Sequence, residues 1–116
     1  MMIIALIGSR NFNDYAYLKE KMKLFPGITK IISGGAKGAD KLAEKYAKEF
    51  DIPIEIVLPD WKNHGKSAGI FRNRLIVDKA DLIVAFWDGK SAGTRSGIEY
   101  AKKTHKEFRT FIYTFT

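Results

Sequence analysis

Four short stretches hold most of the residues that could grip an anion: Gly8-Ser9-Arg10; Ser33-Gly34-Gly35-Ala36-Lys37-Gly38-Ala39-Asp40; Asp60-Trp61 through Gly65 and Gly69 to Arg72-Asn73; and Asp88 through Ser91-Ala92-Gly93-Thr94. Nine of the ten glycines lie in or just beyond them, and only Gly27 lies elsewhere. A backbone without Cβ can approach a ligand closely and adopt positive φ, and a helix that starts after it aims unpaired N–H groups outward. That arrangement suits phosphate. The helix end carries roughly +0.5 charge, and each N–H bond to a charged acceptor contributes about 1.5–3 kcal/mol.

Ser33-Gly34-Gly35-Ala36-Lys37-Gly38 is the leading cradle, with the Ser33 hydroxyl as donor and Lys37 as a nearby point charge; tight turns and helix–strand packing are the alternative use of its glycines. Gly93-Thr94 is a second cradle or a plain helix cap. Neither stretch is a P-loop or GxGxxG. Seven basic residues (Arg10, Lys37, Lys66, Arg72, Arg74, Lys90, Arg95) surround the four stretches against Asp40, Asp60 and Asp88, which favours an anion. Arg10 and Arg72 sit where the chain turns, and a guanidinium grips phosphate in bidentate fashion. Lys66, Arg74 and Lys90 read as solvated surface. Trp61 and Trp87 stand at strand exits, where an indole either stacks on a base or packs in the core. Asp40 opens a helix, where its charge complements the dipole. His64 and His105 are isolated, with neither metal-ligand spacing nor a Ser/His/Asp arrangement.

These stretches are loops between alternating strand and helix patterns. Met2 to Ile7 is a continuous aliphatic run that ends at Gly8, as in a strand buried on both faces. Tyr15, Leu18, Met22 and Phe25 recur at helical spacing until Pro26-Gly27. Lys30 to Ser33 is a second strand. Ala39, Leu42, Ala43, Tyr46, Ala47 and Phe50 mark one face of a helix with Lys and Glu opposite. Ile52 to Leu58 is a third strand, Ser67 to Lys79 a helix carrying Ala68, Phe71, Leu75 and Ile76, and Asp81 to Trp87 a fourth strand. Thr94 to Thr104 and Phe108 to Tyr113 complete the alternation. Such order requires right-handed crossovers. The expected fold is therefore α/β: a single Rossmann-like domain over residues 1–116, with a five-stranded parallel sheet and helices on both faces. Ligands of such sheets sit beyond the carboxyl ends of the strands, where the four stretches fall.

At 116 residues the chain has room for one core. Its 46% hydrophobic and 28% charged residues exclude a disordered tail. With no cysteine, a disulfide scaffold, a thiol nucleophile and a cysteine zinc site are excluded, and a cytoplasmic setting is expected. The opening MMIIALIGSR is too short in apolar residues for a signal peptide, and no stretch approaches the roughly 20 of a membrane span, so no membrane partner is expected. The net charge of +7 raises the prior for an anionic partner without choosing among nucleotide, nucleic acid and solubility.

GSR at 8–10, SGGAKGAD at 33–40, DW at 60–61, GKSAGIFRN at 65–73 and FWDGKSAGT at 86–94 together resemble the YspA-like branch of the SLOG superfamily, which joins the DNA-processing Smf/DprA proteins and the LOG enzymes. The resemblance runs from residue 3 to about 104. It implies a Rossmann-like domain for a nucleotide or a nucleotide-derived molecule such as an ADP-ribose relative, acting as a sensor or processing module. By that resemblance Gly8, Ser9, Arg10, Ser33, Gly34, Gly35, Asp40, Arg72, Asn73, Gly93 and Thr94 line the pocket. LOG enzymes carry PGGxGTxxE, whose glutamate assists N-glycosidic cleavage. Here the matching stretch is SAGTRSG, with Gly97 at the glutamate's place and Glu99 turned about 200° away. A phosphoribohydrolase is therefore the alternative, with Asp40 and Arg72 as its weak catalytic candidates, and DprA-like nucleic-acid binding is a second alternative. A homodimer is compatible with the resemblance.

Overall fold

Ile4 and Leu6 face one side of strand β1 (Met2–Gly8), while Ile3, Ala5 and Ile7 face the other, and each set finds its own apolar layer. That two-sided burial makes β1 the centre of a sheet. The computed structural model describes residues 2–114, so Met1, Phe115 and Thr116 of the expected 1–116 domain lie outside the described residues. β2 is Ile28–Ser33, β3 Ile54–Ile56, β4 Leu82–Trp87 and β5 Glu107–Ile112. All pair in parallel, in the order β3-β2-β1-β4-β5. The fold is the Rossmann-like α/β sheet that the alternation of patterns predicts.

Helices α1 (Tyr15–Met22) and α2 (Ala39–Glu49) cover one face through Leu18, Met22, Ala43 and Ala47, packed on Ile4, Leu6, Ile31 and Val84. Phe86 and Phe12 stack at 5.1 Å within the same layer. Helices α4 (Ala68–Lys79) and α5 (Ala92–Lys103) cover the other face, placing Ile76, Val77 and Ala101 on Ala5, Ile32 and Ile83. No helix among the described residues is long and apolar enough to cross a membrane.

Five expectations change. The third strand, expected over 52–58, keeps only Ile54–Ile56, because Pro53 has no N–H to give and β3 lies at the sheet edge with β2 as its one partner. Trp61 begins a short helix, α3 (Trp61–His64), capped by Asp60 through the Asn63 amide at 3.2 Å, and a 3₁₀ turn (Gly65–Ser67) joins it to α4. Trp61 is 58% exposed and belongs neither to the core nor to the switch-point crevice. Phe71 and Leu75, expected on the inner face of α4, stand 44% and 51% exposed. The inward stripe is instead Ala68, Ile76, Val77 and Ala80, and at 3.6 residues per turn it also turns Arg72 and Asn73 inward. Phe50 lies just past α2 with its ring on Tyr46 rather than in the core, and α5 starts two residues before Thr94.

Candidate functional site

In this sheet the chain steps from β1 to β2 and β3 on one side, then returns to place β4 and β5 on the other. The crevice beyond the carboxyl ends of β1 and β4 is thus the topological switch point. A cavity of about 410 Å³ opens there, within the range of small-molecule sites. Ile7, Ile76 and Val77 form its apolar part. The β1 exit contributes Gly8 to Asn11, the β2 loop contributes Ala36 and Asp40, α4 contributes Arg72 and Asn73, and Ser91 to Thr94 with Gly97 close the far wall.

The β1 exit is tied down by backbone. The Ser9 N–H donates to the Phe86 carbonyl at 3.0 Å, and the Ser9 carbonyl accepts from Ala39 at 3.2 Å, which fixes α2 against β1. Gly38 makes this approach possible: its φ is +74°, and a Cβ there would stand 2.4 Å from the Ser9 oxygen. The Ser9 hydroxyl is buried and accepts the Asp88 N–H at 3.1 Å. Arg10 is exposed at the mouth.

The β2 loop departs from its expected use. Asp40, 8% exposed, folds back so that Oδ2 accepts the Ala36 N–H at 3.0 Å. The cradle's own carboxylate thus occupies an amide that was expected to meet phosphate. Lys37 points to solvent, and Ser33, Gly34, Gly35 and Lys37 lie outside the lining. The Ser33 hydroxyl turns to Asp40, donating to its carbonyl at 3.5 Å and helping to pull its carboxyl down. Gly34 has a different role: a Cβ there would stand 2.7 Å from Arg72 Nη1 and 2.9 Å from Asp40 Oδ2. Burial holds the Asp40 carboxyl above the ordinary aspartate value, while the Ala36 amide and the Arg72 charge pull it down. For Arg72, burial pulls downward, Asp40 pulls upward and Arg10 pulls downward again.

Arg72 and Asn73 bridge the mouth. Arg72 Nη1 donates to the Gly34 carbonyl at 2.8 Å and Nε to Asn73 Oδ1 at 2.9 Å, while Asn73 Nδ2 reaches the Gly93 carbonyl at 3.4 Å. Beyond the bridge, α5 opens with Ser91 as its N-cap and no side-chain cap bond. The first amide to find a helical acceptor is that of Arg95, on Ser91 at 3.1 Å, so the Ala92, Gly93 and Thr94 amides are the orphans every helix start leaves. Thr94 is 5% exposed and lines the cavity.

Asp88 holds this start in place, accepting the Lys90 and Ser91 amides at 2.9 and 2.8 Å; those bonds keep its carboxyl well below the usual range. Asn11 donates to Asp88 at 3.3 Å and accepts from the Tyr113 hydroxyl. Of the basic residues around the four stretches, Arg10 and Arg72 alone line the cavity. Arg95 lies over the Trp87 ring at 5.5 Å, and the Trp87 indole donates to the Ser91 carbonyl, so this tryptophan braces the loop rather than offering a face to a base. Sequence reasoning missed Ile7, Asn11, Ile76 and Val77, and named Ala36, Ser91, Ala92 and Gly97 only as parts of the stretches or as a neighbour of them, not as lining residues. Asn11 directly follows the Gly8-Ser9-Arg10 motif, and the three aliphatic residues read only as core. No group of three metal-ligating side chains gathers among the described residues.

Residues 2–64 match the YspA, cpYpsA-related SLOG family. The chain belongs to that family. The matched span contains both the Gly8-Ser9-Arg10 and the Ser33-to-Asp40 stretches of this SLOG chain. A similar protein is the Gene 61 protein of Mycobacterium phage D29, 33% identical over 113 residues, which cover 89% of this chain and 90% of that protein. Another is the SPbeta prophage-derived protein YoqJ of Bacillus subtilis strain 168, 33% identical over 99 residues, covering 72% of this chain and 58% of YoqJ. Among solved structures, DNA processing protein A from Helicobacter pylori, described for its single-stranded DNA binding mode, superposes with a TM-score of 0.73 at 22% identity. The match covers 99% of this SLOG chain and 67% of that one, and at this identity it speaks for the shared fold.

Proposed function

We propose that the switch-point cavity binds a nucleotide or a nucleotide-derived molecule such as an ADP-ribose relative, with a phosphate held at the start of α5. The observation that carries this reading is the start of α5: three orphan amides of a 12-residue helix stand at the cavity wall beside Thr94, which is 5% exposed and lines the cavity. Amides left without a helical acceptor at a cavity wall are open to an anionic ligand. The helix dipole adds to the pull, and Arg10 and Arg72 supply positive charge at the same mouth. Glycine at position 93 leaves open space before the amides. The expected phosphate therefore moves from the β2 loop, where Asp40 already holds the Ala36 amide, to the second cradle.

A purely LOG-like hydrolase is less well supported. Gly97 faces Ile7, whose Cδ1 would lie 3.0 Å from a Cβ at that position, and Glu99 lines an outer groove with Arg74 and Tyr100. Asp40 is the carboxylate that the cavity itself contains. The second reading is single-stranded nucleic acid, favoured by the DNA-binding Helicobacter protein of the same fold and by the +7 charge.

Calorimetric titration with nucleoside monophosphates, cyclic nucleotides, ADP-ribose and NAD tests the leading reading. Saturable heat with at least one, lost in Thr94→Val, is expected; silence with all of them at millimolar concentration overturns it. A gel shift on single-stranded DNA across salt concentrations tests the second, since contact with several phosphates weakens steeply as salt rises.

A further inference from the structure

We propose that Asp40 reads the sugar: its carboxylate accepts hydrogen bonds from the vicinal 2′- and 3′-hydroxyls of a ribonucleotide, so the cavity takes ribonucleotides in preference to 2′-deoxyribonucleotides. The inference rests on the nucleotide reading above and adds to it a residue and a ligand class. Asp40 is more than nine-tenths buried, yet its side chain lines the cavity and no ion pair closes over it among the described residues. Arg72, the nearest cation, spends Nη1 on the Gly34 carbonyl and Nε on Asn73. Asp40 Oδ2 accepts the Ala36 amide at 3.0 Å, and the Ser33 hydroxyl and Gly34 amide also pull on the carboxyl from the β2 loop, which locks it in orientation; of the roughly four lone-pair sites of a carboxylate this leaves acceptor capacity toward the cavity.

An ionised carboxylate can only accept hydrogen bonds. Its best ligand partner therefore presents two neighbouring donors and no acceptor between them. The Watson–Crick edges of adenine, cytosine and uracil set an acceptor beside every donor and so oppose a carboxylate. Only the vicinal diol of ribose and the N1/N2 edge of guanine meet the requirement. The geometry favours the diol. Consecutive residues of α4 link the two sites, Arg72 bonding at Gly34 beside Asp40 and Asn73 bonding at Gly93 beside the α5 amides. A 5′-phosphate and a diol are carried by one five-membered ring, which suits two subsites tied together by neighbouring side chains of one helix; a guanine edge lies at the far end of the molecule. Ile7, Ile76 and Val77 then remain as apolar surface for the base.

The test is calorimetry on the full chain with AMP, GMP, CMP and UMP, their 2′-deoxy counterparts, and 2′,3′-isopropylidene-AMP, in which the diol is blocked. Each ribonucleotide that binds is expected to bind about tenfold or more tighter than its deoxy form, as for loss of a hydrogen bond to a charged group. Blocking the diol, which removes both donors, is expected to cause a loss at least as large. In Asp40→Asn, checked for folding by circular dichroism, the ratio is expected to shrink below about threefold, since Asn keeps an acceptor but loses the charge. Equal affinity for ribo and deoxy forms overturns the proposal and leaves nucleotide binding intact. So does a preference for GMP and dGMP together over the other bases, or a ribose preference that survives in Asp40→Asn. No binding of any nucleotide overturns both readings. If Asp40→Asn fails to fold, the native chain's ribo/deoxy and blocked-diol ratios decide.

Discussion

Arg72 Nη1 donates to the Gly34 carbonyl at 2.8 Å, joining helix α4 to the β2 loop across 38 positions of sequence. The same guanidinium orients Asn73 through Nε, and Asn73 reaches the start of α5, so one side chain fixes the spacing between both walls of the cavity. Arg72→Ala removes this bridge, leaves the Gly34 carbonyl without its donor and strips Asp40 of its nearest positive charge. We expect a stability loss of about 1–2 kcal/mol in urea unfolding, as for breaking a hydrogen bond to a charged group, and at least a tenfold loss of nucleotide affinity. Arg72→Lys keeps the charge but lacks the planar fork, so it is expected to restore stability better than affinity.

Gly34 and Gly38 separate site from scaffold. A Cβ at Gly34 meets the ends of two side chains, Arg72 Nη1 and Asp40 Oδ2, which can swing away. A Cβ at Gly38 meets the backbone oxygen of Ser9 at 2.4 Å and the Arg10 carbonyl group at 2.5 Å, at a φ of +74°. Neither can move without parting α2 from β1. Gly38→Ala is therefore expected to cost about 3 kcal/mol or more, combining overpacking with positive-φ strain, and to lower the thermal midpoint sharply. Gly34→Ala is expected to cost about 1 kcal/mol while displacing Arg72 and Asp40 and abolishing ligand binding.

The sheet was legible because its signal is local. The Met2-to-Ile7 run, the apolar face of α2 and the glycines after each strand each encode their element within about a dozen residues. The location of the site was legible for the same reason, since strand ends in an alternating fold converge. What the residues do there was less so. Asp40's return to the Ala36 amide depends on the loop reversing at Gly35 and Gly38, both at positive φ, and a spacing of four residues does not announce it. The α4 face was misread because Phe71 and Leu75 are larger than Ala68 and Val77. Packing against a sheet under a close helix favours the small residues, and the large ones were left outside.

Asp40 also makes stability depend on pH with a definite sign. Burial raises its native value above the unfolded aspartate value near 3.8, so between those two points the native chain binds more protons than the unfolded one. Its contribution to stability therefore falls as pH rises from about 3.8 through the native value, and it stays low above that. Asp40→Asn removes this dependence. The difference in unfolding free energy between Asp40→Asn and the native chain is expected to move in favour of the variant as pH rises across that window and then to level off. A difference that stays flat from acid to neutral pH contradicts the assignment.

Asp88 has the opposite sign. The Lys90 and Ser91 amides depress its native value, so its stabilisation is complete above about 3.8 and is lost as pH falls toward that lower native value. By its bonds it acts as the turn that launches α5. Asp88→Ala is expected to cost about 1 kcal/mol at neutral pH, the usual worth of such a side-chain-to-backbone cap, with the difference shrinking in acid. Because the α5 start would fray, phosphate-bearing ligands are expected to bind more weakly in Asp88→Ala even though no Asp88 atom need touch them. Chemical unfolding at pH 7 and pH 3 separates the two effects.

Gly93→Ala sets helix stability against ligand binding at the start of α5. Position 93 lies in the first turn, its φ is not left-handed, and an added Cβ meets no protein atom within 4 Å. Replacing glycine by alanine in a helix ordinarily gains up to about 1 kcal/mol through the entropy of the unfolded chain. On fold grounds alone, then, alanine should be the better residue here. A Cβ on a helix leans toward the N-terminus, so the new methyl group would stand in the space before the Ala92, Gly93 and Thr94 amides. If a phosphate occupies that space, Gly93→Ala raises the thermal midpoint by a few degrees and weakens nucleotide binding at least tenfold, the exchange of stability for function seen where a site holds a locally suboptimal residue. A variant both more stable and equally good at binding would place the phosphate elsewhere in the cavity, and titration of nucleotide against the native chain and Gly93→Ala side by side measures which holds.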